Sequence, residues 1–92
     1  MKVIWDESKN RTNRKKHGVS FEEASALFYR EDDYLEIFDD GHSEEEDRFI
    51  AIGPIKRGLV LVVYTERDDE TIRLISARWA TKREAEAYRG HV

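Results

Sequence analysis

One segment, Leu59 to Trp79, constrains the fold of this 92-residue chain more than any other. Its first part, Leu59 to Thr65, is almost entirely apolar and rich in valine, which favours a strand buried on both faces. Five charged residues follow, Glu66 to Glu70, and they predict a turn because they are too polar to bury. Thr71 to Trp79 then predicts a second strand. Such a hairpin is stable in water only with a further strand or helix, so we expect the rest of the chain to pack against it.

The alternation of side chains along a regular strand predicts which residues of the second strand share a face. Ile72 and Leu74 fall on one face, and the residues on the other are Arg73, Ile75, Ala77 and Trp79. Arg73 and Arg78 are five residues apart, so a regular strand directs them to opposite faces. We expect Arg78 to lie beyond the strand, where the chain bends towards Thr81, because an unpartnered guanidinium in an apolar core is strongly destabilising.

Two helices are predicted before these strands. Asp6 is suited to cap the first helix, and Gly18 is suited to end it in a left-handed conformation. This helix has no apolar stripe, and its polar residues on one face are Lys9, Asn13, Lys16 and His17. It therefore either lies on the surface or lines a site. Ser20 and Glu23 form a capping-box pattern for the second helix, which residues 31–33 should end.

The remaining segments predict three further strands and a last helix. The strands are expected at Lys2 to Trp5, Tyr34 to Phe38 and Asp47 to Gly53, with a turn bracketed by Gly53-Pro54 and Gly58 and a helix that opens with Thr81 to Glu84. The order β-α-α-β-β-β-β-α indicates an α+β fold. We expect one domain over residues 1–92, with N-terminal helices packed on a mostly antiparallel sheet and a short C-terminal helix.

The composition excludes several classes of protein. The chain has no cysteine, which rules out disulfides and thiolate zinc sites. Its N-terminal apolar run, Val3 to Trp5, is far too short for a signal sequence or a membrane span, so we expect a soluble, cytoplasmic protein without membrane contact.

The charges are strongly separated along the chain. Residues 1–18 carry six Lys and Arg against two acids, residues 19–47 carry one against twelve, and residues 48–92 carry nine against six. This separation suits an anionic ligand at one surface and a basic partner at another, although a surface charged only for solubility explains it equally well.

Three segments resemble the BrnT family, which comprises bacterial toxins of toxin–antitoxin pairs. They are WDESKNRTNRKKHGVSFEEA (Trp5 to Ala24), DRFIAIG (Asp47 to Gly53) and VVYTERDDETIRLISARWATKRE (Val62 to Glu84). The resemblance implies a RelE-like ribonuclease fold and a metal-independent endoribonuclease that needs no cofactor and inhibits translation. It also implies a BrnA-type antitoxin as the partner. Because that antitoxin carries its own DNA-binding domain, the toxin would reach operator DNA only indirectly.

Metal-free cleavage of RNA needs an acid, a base, and cations for the negative charge that develops on the phosphorane. A histidine titrates near neutral pH, and arginine forks clamp phosphate. We therefore assign catalytic roles to His17, Arg67, Arg78 and Tyr88, and RNA contacts to Lys9, Asn13, Lys16 and Arg73. The resemblance favours Arg78 as the phosphate clamp, whereas strand alternation favours Arg73 as the residue that lines the groove.

Each assignment has a structural alternative. His17 could simply complement the helix dipole, Tyr88 could anchor the last helix, and Arg67 could be solvated in its turn. The helix cations Lys9 and Lys16, with Asn13, could likewise serve only solvation. His42 and His91 have no neighbours suited to bind a metal with them, so we expect no metal site. For the whole chain, the alternative function is a non-catalytic module that only binds an antitoxin-like partner.

Overall fold

The central hairpin forms the middle of a mixed sheet in the computed structural model, which describes residues 1–29, 34–42 and 46–91. In chain order the elements are β1 (Lys2–Ile4), α1 (Glu7–His17), α2 (Phe21–Tyr29), β2 (Leu35–Phe38), a 3₁₀ turn (Asp40–His42), β3 (Arg48–Ile55), β4 (Gly58–Asp68), β5 (Thr71–Trp79) and α3 (Lys82–His91). The predicted α+β class and the predicted order of helices and strands are both confirmed. The expectation that residues 31–33 end the second helix falls outside the described residues.

The strands are ordered β1-β5-β4-β3-β2 across the sheet. Neighbouring strands from β2 to β5 are antiparallel, and β1 runs parallel to β5. The prediction of a mostly antiparallel sheet is therefore confirmed. No helix among the described residues is long and apolar enough to cross a membrane.

Helix α2 covers one side of the sheet, which we name the core face. Its buried side chains contact the apolar side chains of β3, β4 and β5, among them Phe21, Leu27, Phe28, Ala51, Val62, Tyr64, Leu74 and Ala77. The helix lies close to β3, because a Cβ added at Gly53 would come within 2.6 Å of Leu27 Cδ1. Glycine at this position thus allows the helix to seat on the sheet.

The opposite side of the sheet carries the strand arginines, and we name it the arginine face. Arg48, Thr65 and Arg73 occupy paired positions on three adjacent strands there. Helix α3 packs against β3 and covers one end of this face. Ile52 and Leu61, which are paired with each other and buried, lie at that end. The rest of the arginine face is not covered by any helix that the structure describes.

Two predicted turns are shorter than expected. Strand β4 continues through three of the five charged residues to Asp68, so that the turn consists of Asp69 and Glu70. A charged side chain can occupy the solvated end of a strand when its backbone still pairs with the neighbouring strand.

Likewise, β3 continues through Pro54, and the turn falls at Lys56 and Arg57. The proline is tolerated because β2 pairs with β3 only as far as Ile52, and no strand in the described part of the chain pairs with the edge beyond it.

A β-bulge in β5 overturns the predicted alternation of its side chains. Tyr64 pairs with Leu74 and Val63 pairs with Ser76, so Ile75 is an extra residue between them. The alternation shifts by one position at a bulge. Ala77 therefore faces the core beside Leu74, and residues predicted on opposite faces come to lie on the same one.

The bulge brings Arg73, Ser76 and Arg78 together on the arginine face. Arg78 is paired with Leu61 inside the strand. The expectation that Arg78 lies beyond the end of the strand is therefore wrong, and so is the expectation that the two arginines point to opposite faces. Both arginines are accommodated because this face is partly open to solvent: their side chains are 30% and 39% exposed.

Candidate active site

Helix α1 begins and ends where the sequence predicts. The Asp6 carboxylate accepts hydrogen bonds from the backbone N–H groups of Ser8 and Lys9, at 2.8 and 3.1 Å. Hydrogen bonds from the Ser8 hydroxyl and from these amides lower the pKa of Asp6. Gly18 ends the helix with φ of 73°, a left-handed conformation that suits glycine. The helix therefore presents its polar residues at fixed positions.

Two buried asparagines take the place of an apolar stripe on α1. Asn10 is 3% exposed and accepts a hydrogen bond of 2.8 Å from the backbone N–H of Phe21, the first residue of α2. Its amide also donates to Glu22 at 2.6 Å and to Glu7 at 3.1 Å. The bond from Asn10 lowers the pKa of Glu22. Asn10 thus joins the two helices through polar contacts alone.

Asn13 joins α1 to the sheet. Its amide donates to the carbonyls of Val19 and Ala77 at 2.9 and 2.8 Å, and its oxygen accepts from the N–H of Ala77 at 3.0 Å. Strand β1 pairs with β5 only as far as Arg73, so Asn13 binds the backbone edge that β1 leaves open. The side chain is 6% exposed and both of its donor hydrogens are engaged. These contacts give Asn13 a structural role. Its contact with RNA stays a prediction.

A shallow, open pocket of about 270 Å³ lies between α1 and the bulge of β5. The residues that line it are Ser8, Lys9, Thr12, Asn13, Lys16, His17, Ile75 and Ser76. The prediction that Lys9, Asn13, Lys16 and His17 share one face of the helix is confirmed. The functional roles of Lys9, Lys16 and His17 stay predictions. Lys9 and Lys16 are exposed and His17 is half-buried, so all three side chains can reach a ligand in the pocket.

Ser76 connects this pocket with the arginine face, since it lines the pocket and lies on β5 between Arg73 and Arg78. Thr65, opposite Arg73, is 1% exposed, and its Oγ1 has no hydrogen-bond partner among the described residues. Nε of Arg73 is also buried without a partner in that part of the chain. Nη2 of Arg73 donates to the Glu46 carboxylate at 3.2 Å. The pocket and the arginine face therefore share Ser76, while Arg73 and Thr65 lie on the face outside the pocket lining.

Arg78 is engaged in an ion pair with α3. Its Nη1 and Nη2 donate to the two carboxylate oxygens of Glu84 at 2.7 and 2.8 Å. Glu84 in turn caps α3, because it accepts from the N–H of Thr81 while its own N–H donates to the Thr81 hydroxyl. The Arg78 guanidinium lowers the pKa of Glu84 to about 2, and Glu84 raises the pKa of Arg78. The Arg78 guanidinium, which the sequence assigns to phosphate, is thus bound to the Glu84 carboxylate.

The other predicted catalytic residues lie away from the pocket lining. Arg67 is exposed near the tip of the β4–β5 hairpin, beside a second shift in strand register. Tyr88 is half-buried on α3, one helical turn after Glu84. Their catalytic roles stay predictions. Among the residues that the structure describes, no three His, Cys, Asp or Glu side chains are grouped in a way that could bind a metal.

Sequence reasoning missed Arg48 and Thr65 as members of this constellation. Their alignment with Arg73 depends on the register of two strand pairs. The sequence does not mark this register, because the two-residue turn that sets it, at Lys56-Arg57, lacks the glycine or asparagine typical of such turns.

Comparisons with known proteins agree with the resemblance seen in the sequence. The family model described as the ribonuclease toxin BrnT of type II toxin–antitoxin systems matches residues 5–84. The crystal structure of the Brucella abortus ribonuclease toxin BrnT superposes with a TM-score of 0.69 at 28% sequence identity, covering 89% of this chain and 99% of that one. No curated protein shows a significant match. The chain belongs to the BrnT family of ribonuclease toxins of type II toxin–antitoxin systems.

Proposed function

We propose that this chain, acting as a single domain in the cytoplasm, is a metal-independent endoribonuclease that inhibits translation. Membership in a family of ribonuclease toxins supports the activity. The observation that carries the proposal is the meeting, at Ser76, of the α1 pocket with the arginine face. Cations from a helix and from a strand thereby surround one surface, which is the charge that an RNA backbone requires. A relationship to the RelE ribonucleases belongs to the same proposal.

In this proposal, His17 is the proton-transfer group, because it is the histidine in the pocket lining. Arg73 stabilises the charge that develops on the phosphate, and Lys9 and Lys16 bind the neighbouring backbone. Arg67, near the hairpin tip, and Tyr88, on α3, keep the catalytic roles assigned from the sequence. Arg78 acts as a positioning residue that binds α3 through Glu84.

Incubation of the partner-free chain with RNA in EDTA tests this function. We expect RNA fragments in the presence of the chelator, and we expect Arg73→Ala to abolish them. Lys15→Ala, which removes an exposed cation of α1 outside the pocket lining, is the matched control and should retain activity. Cleavage that disappears in EDTA and returns with Mg²⁺ would contradict metal independence, whereas cleavage that survives Arg73→Ala would indicate a contaminating nuclease or another site.

A non-catalytic module that binds an antitoxin-like partner is the second candidate. The ion pair of Arg73 with Glu46 favours it, since a carboxylate occupies the arginine that the first proposal assigns to phosphate. The same assay separates the two. A pure chain that binds its antitoxin but releases no RNA fragments is a binding module.

The partner in both cases is an antitoxin, as membership in a type II family implies. We propose that it is a BrnA-type protein with its own DNA-binding domain, so that the toxin reaches operator DNA only within the complex. The cationic surface of α1 is the surface we expect it to cover, because covering that surface would block RNA.

A further inference from the structure

We propose that Arg73, Thr65 and Arg48 form a subsite for one phosphate group of the RNA, and that the carboxylate of Glu46 binds Arg73 at the edge of this subsite in the free toxin. The inference rests on the proposed ribonuclease function and names the substrate group at one part of its site.

The first observation is the alignment of the three side chains. Arg48 pairs with Thr65, and Thr65 pairs with Arg73, on the adjacent strands β3, β4 and β5. Directly opposed residues have Cβ atoms about 5 Å apart, so the row places an arginine on either side of one threonine. Two cations and one O–H donor are a suitable set for the oxygens of a single phosphate.

The second observation is the state of the polar atoms in this row. Thr65 is among the most deeply buried residues of the protein, yet its Oγ1 has no hydrogen-bond partner in the described part of the chain. The Nε atom of Arg73 is likewise buried and has no hydrogen-bond partner in that part of the chain. Buried polar groups are nearly always bonded, because an unmatched one is destabilising. An oxyanion that receives both donors would remove this defect.

The third observation is that an anion already lies at the edge of the row. The Glu46 carboxylate accepts from Nη2 of Arg73 at 3.2 Å, and the two side chains are 37% and 30% exposed. This bond is long, and water can reach both groups, so a competing anion can displace the carboxylate. Once Glu46 leaves, Nη2 of Arg73 is free to donate to an incoming phosphate beside the Thr65 hydroxyl.

Two substitutions at Thr65 test the subsite without relying on cleavage. The probes are a 2′-O-methyl RNA oligonucleotide, which cannot be cleaved, and inorganic phosphate, each titrated while the Nε–H signal of Arg73 is followed by NMR. Thr65→Val should weaken binding of the oligonucleotide by about tenfold, because it removes one donor to a charged group. It should leave the melting temperature unchanged or raise it, because the hydroxyl has no partner in the free protein. Thr65→Ser, which keeps the hydroxyl, should restore binding.

The role of Glu46 is tested with a charge-matched pair. Glu46→Gln and Asp47→Asn each remove one negative charge from neighbouring residues. We expect Glu46→Gln to increase the affinity for both probes by roughly fivefold. Asp47→Asn should have at most half that effect, since Asp47 has no bond to Arg73 among the described residues. Equal effects of the two variants would overturn the competition, and unchanged binding in Thr65→Val would overturn the subsite.

The outcomes for the two proposals can be told apart. If RNA is cleaved in EDTA while the Thr65 and Glu46 variants bind like the wild type, the subsite is wrong and the ribonuclease function stands. If the variants behave as expected but the wild type cleaves nothing, the subsite stands and the catalytic proposal fails.

Discussion

Asn13 shows how a single polar side chain can dock a helix that has no apolar stripe. Its three bonds reach two backbone groups of Ala77 and the carbonyl of Val19. Because both donor hydrogens and one acceptor site are used, the geometry is specific for an amide. The same bonds hold α1, and with it Lys9 and His17, against the bulge of β5.

We expect Asn13→Asp to destabilise the protein by about 2–4 kcal/mol. The change keeps the shape of the side chain but directs a carboxylate towards two carbonyl oxygens in a buried position. Urea denaturation measures the loss, and Lys15→Ala, an exposed substitution on the same helix, should change stability by about 0.5 kcal/mol or less. If Asn13 instead contacts RNA, its replacement by alanine would weaken RNA binding and leave the unfolding midpoint unchanged.

The partner of Asn13 could not be read from the sequence. The caps at Asp6 and Gly18 and the strands of the hairpin were predictable, because they depend on residues within a few positions of one another. Asn13 and Ala77 are 64 positions apart, and nothing local marks them as partners. The polar face of α1 suggested a site, but one of its four residues, Asn13, makes this docking contact.

At the scale of elements, the bulge of β5 and the start of α3 decide which arginine is available to a ligand. The extra residue Ile75 places Arg73 and Arg78 on one face, an arrangement that alternation alone excludes. The carboxylate fork of Glu84 then engages Arg78. A bulge has no sequence signal of its own in this strand, which is why sequence reasoning assigned the two arginines to opposite faces.

The ion pair of Arg78 with Glu84 predicts a loss of stability in acid. Because the pKa of Glu84 is lowered from 4.5 to about 2 in the folded protein, its contribution is present above pH 4.5 and is lost as the pH falls towards 2. We expect this contribution to be about 1–2 kcal/mol after allowance for solvent screening, since the Arg78 side chain is 39% exposed.

Urea denaturation at several pH values measures this contribution. Glu84→Gln should be less stable than the wild type at neutral pH, and the difference should shrink between pH 4.5 and 2. Glu86→Gln, at an exposed acidic position of the same helix, is the control and should follow the wild-type profile. A constant difference between Glu84→Gln and the wild type across this range would contradict the assignment.

At the scale of the whole molecule, charge is divided between surfaces. Helix α1 carries five exposed cations, Lys9, Arg11, Arg14, Lys15 and Lys16. The acidic segment of residues 31–47 is described only in part, at residues 34–42 and 46–47. Opposite charges in separate places attract charged partners from a distance, and this attraction depends on ionic strength.

The association rate with the antitoxin should therefore depend strongly on salt. We expect it to fall by roughly tenfold or more between low and high ionic strength, as for other electrostatically guided complexes. Replacing Lys9 and Lys16 together by Gln should flatten the dependence, whereas replacing the exposed Lys56 of the β3–β4 turn should not. Stopped-flow measurements with the purified antitoxin provide the rates. A rate that is the same at both salt concentrations would contradict electrostatic docking.

The contact between Asn13 and Ala77 also determines when the pocket can form during synthesis of the chain. During synthesis, α1 leaves the ribosome well before β5, the strand that it binds. Until that strand has emerged and paired, the inner side of α1 has no backbone edge to bind and no apolar stripe to hold it elsewhere. A growing chain, or one cut short before β5, therefore lacks the pocket altogether. The pocket therefore becomes available to a ligand only after the chain has been synthesised through β5.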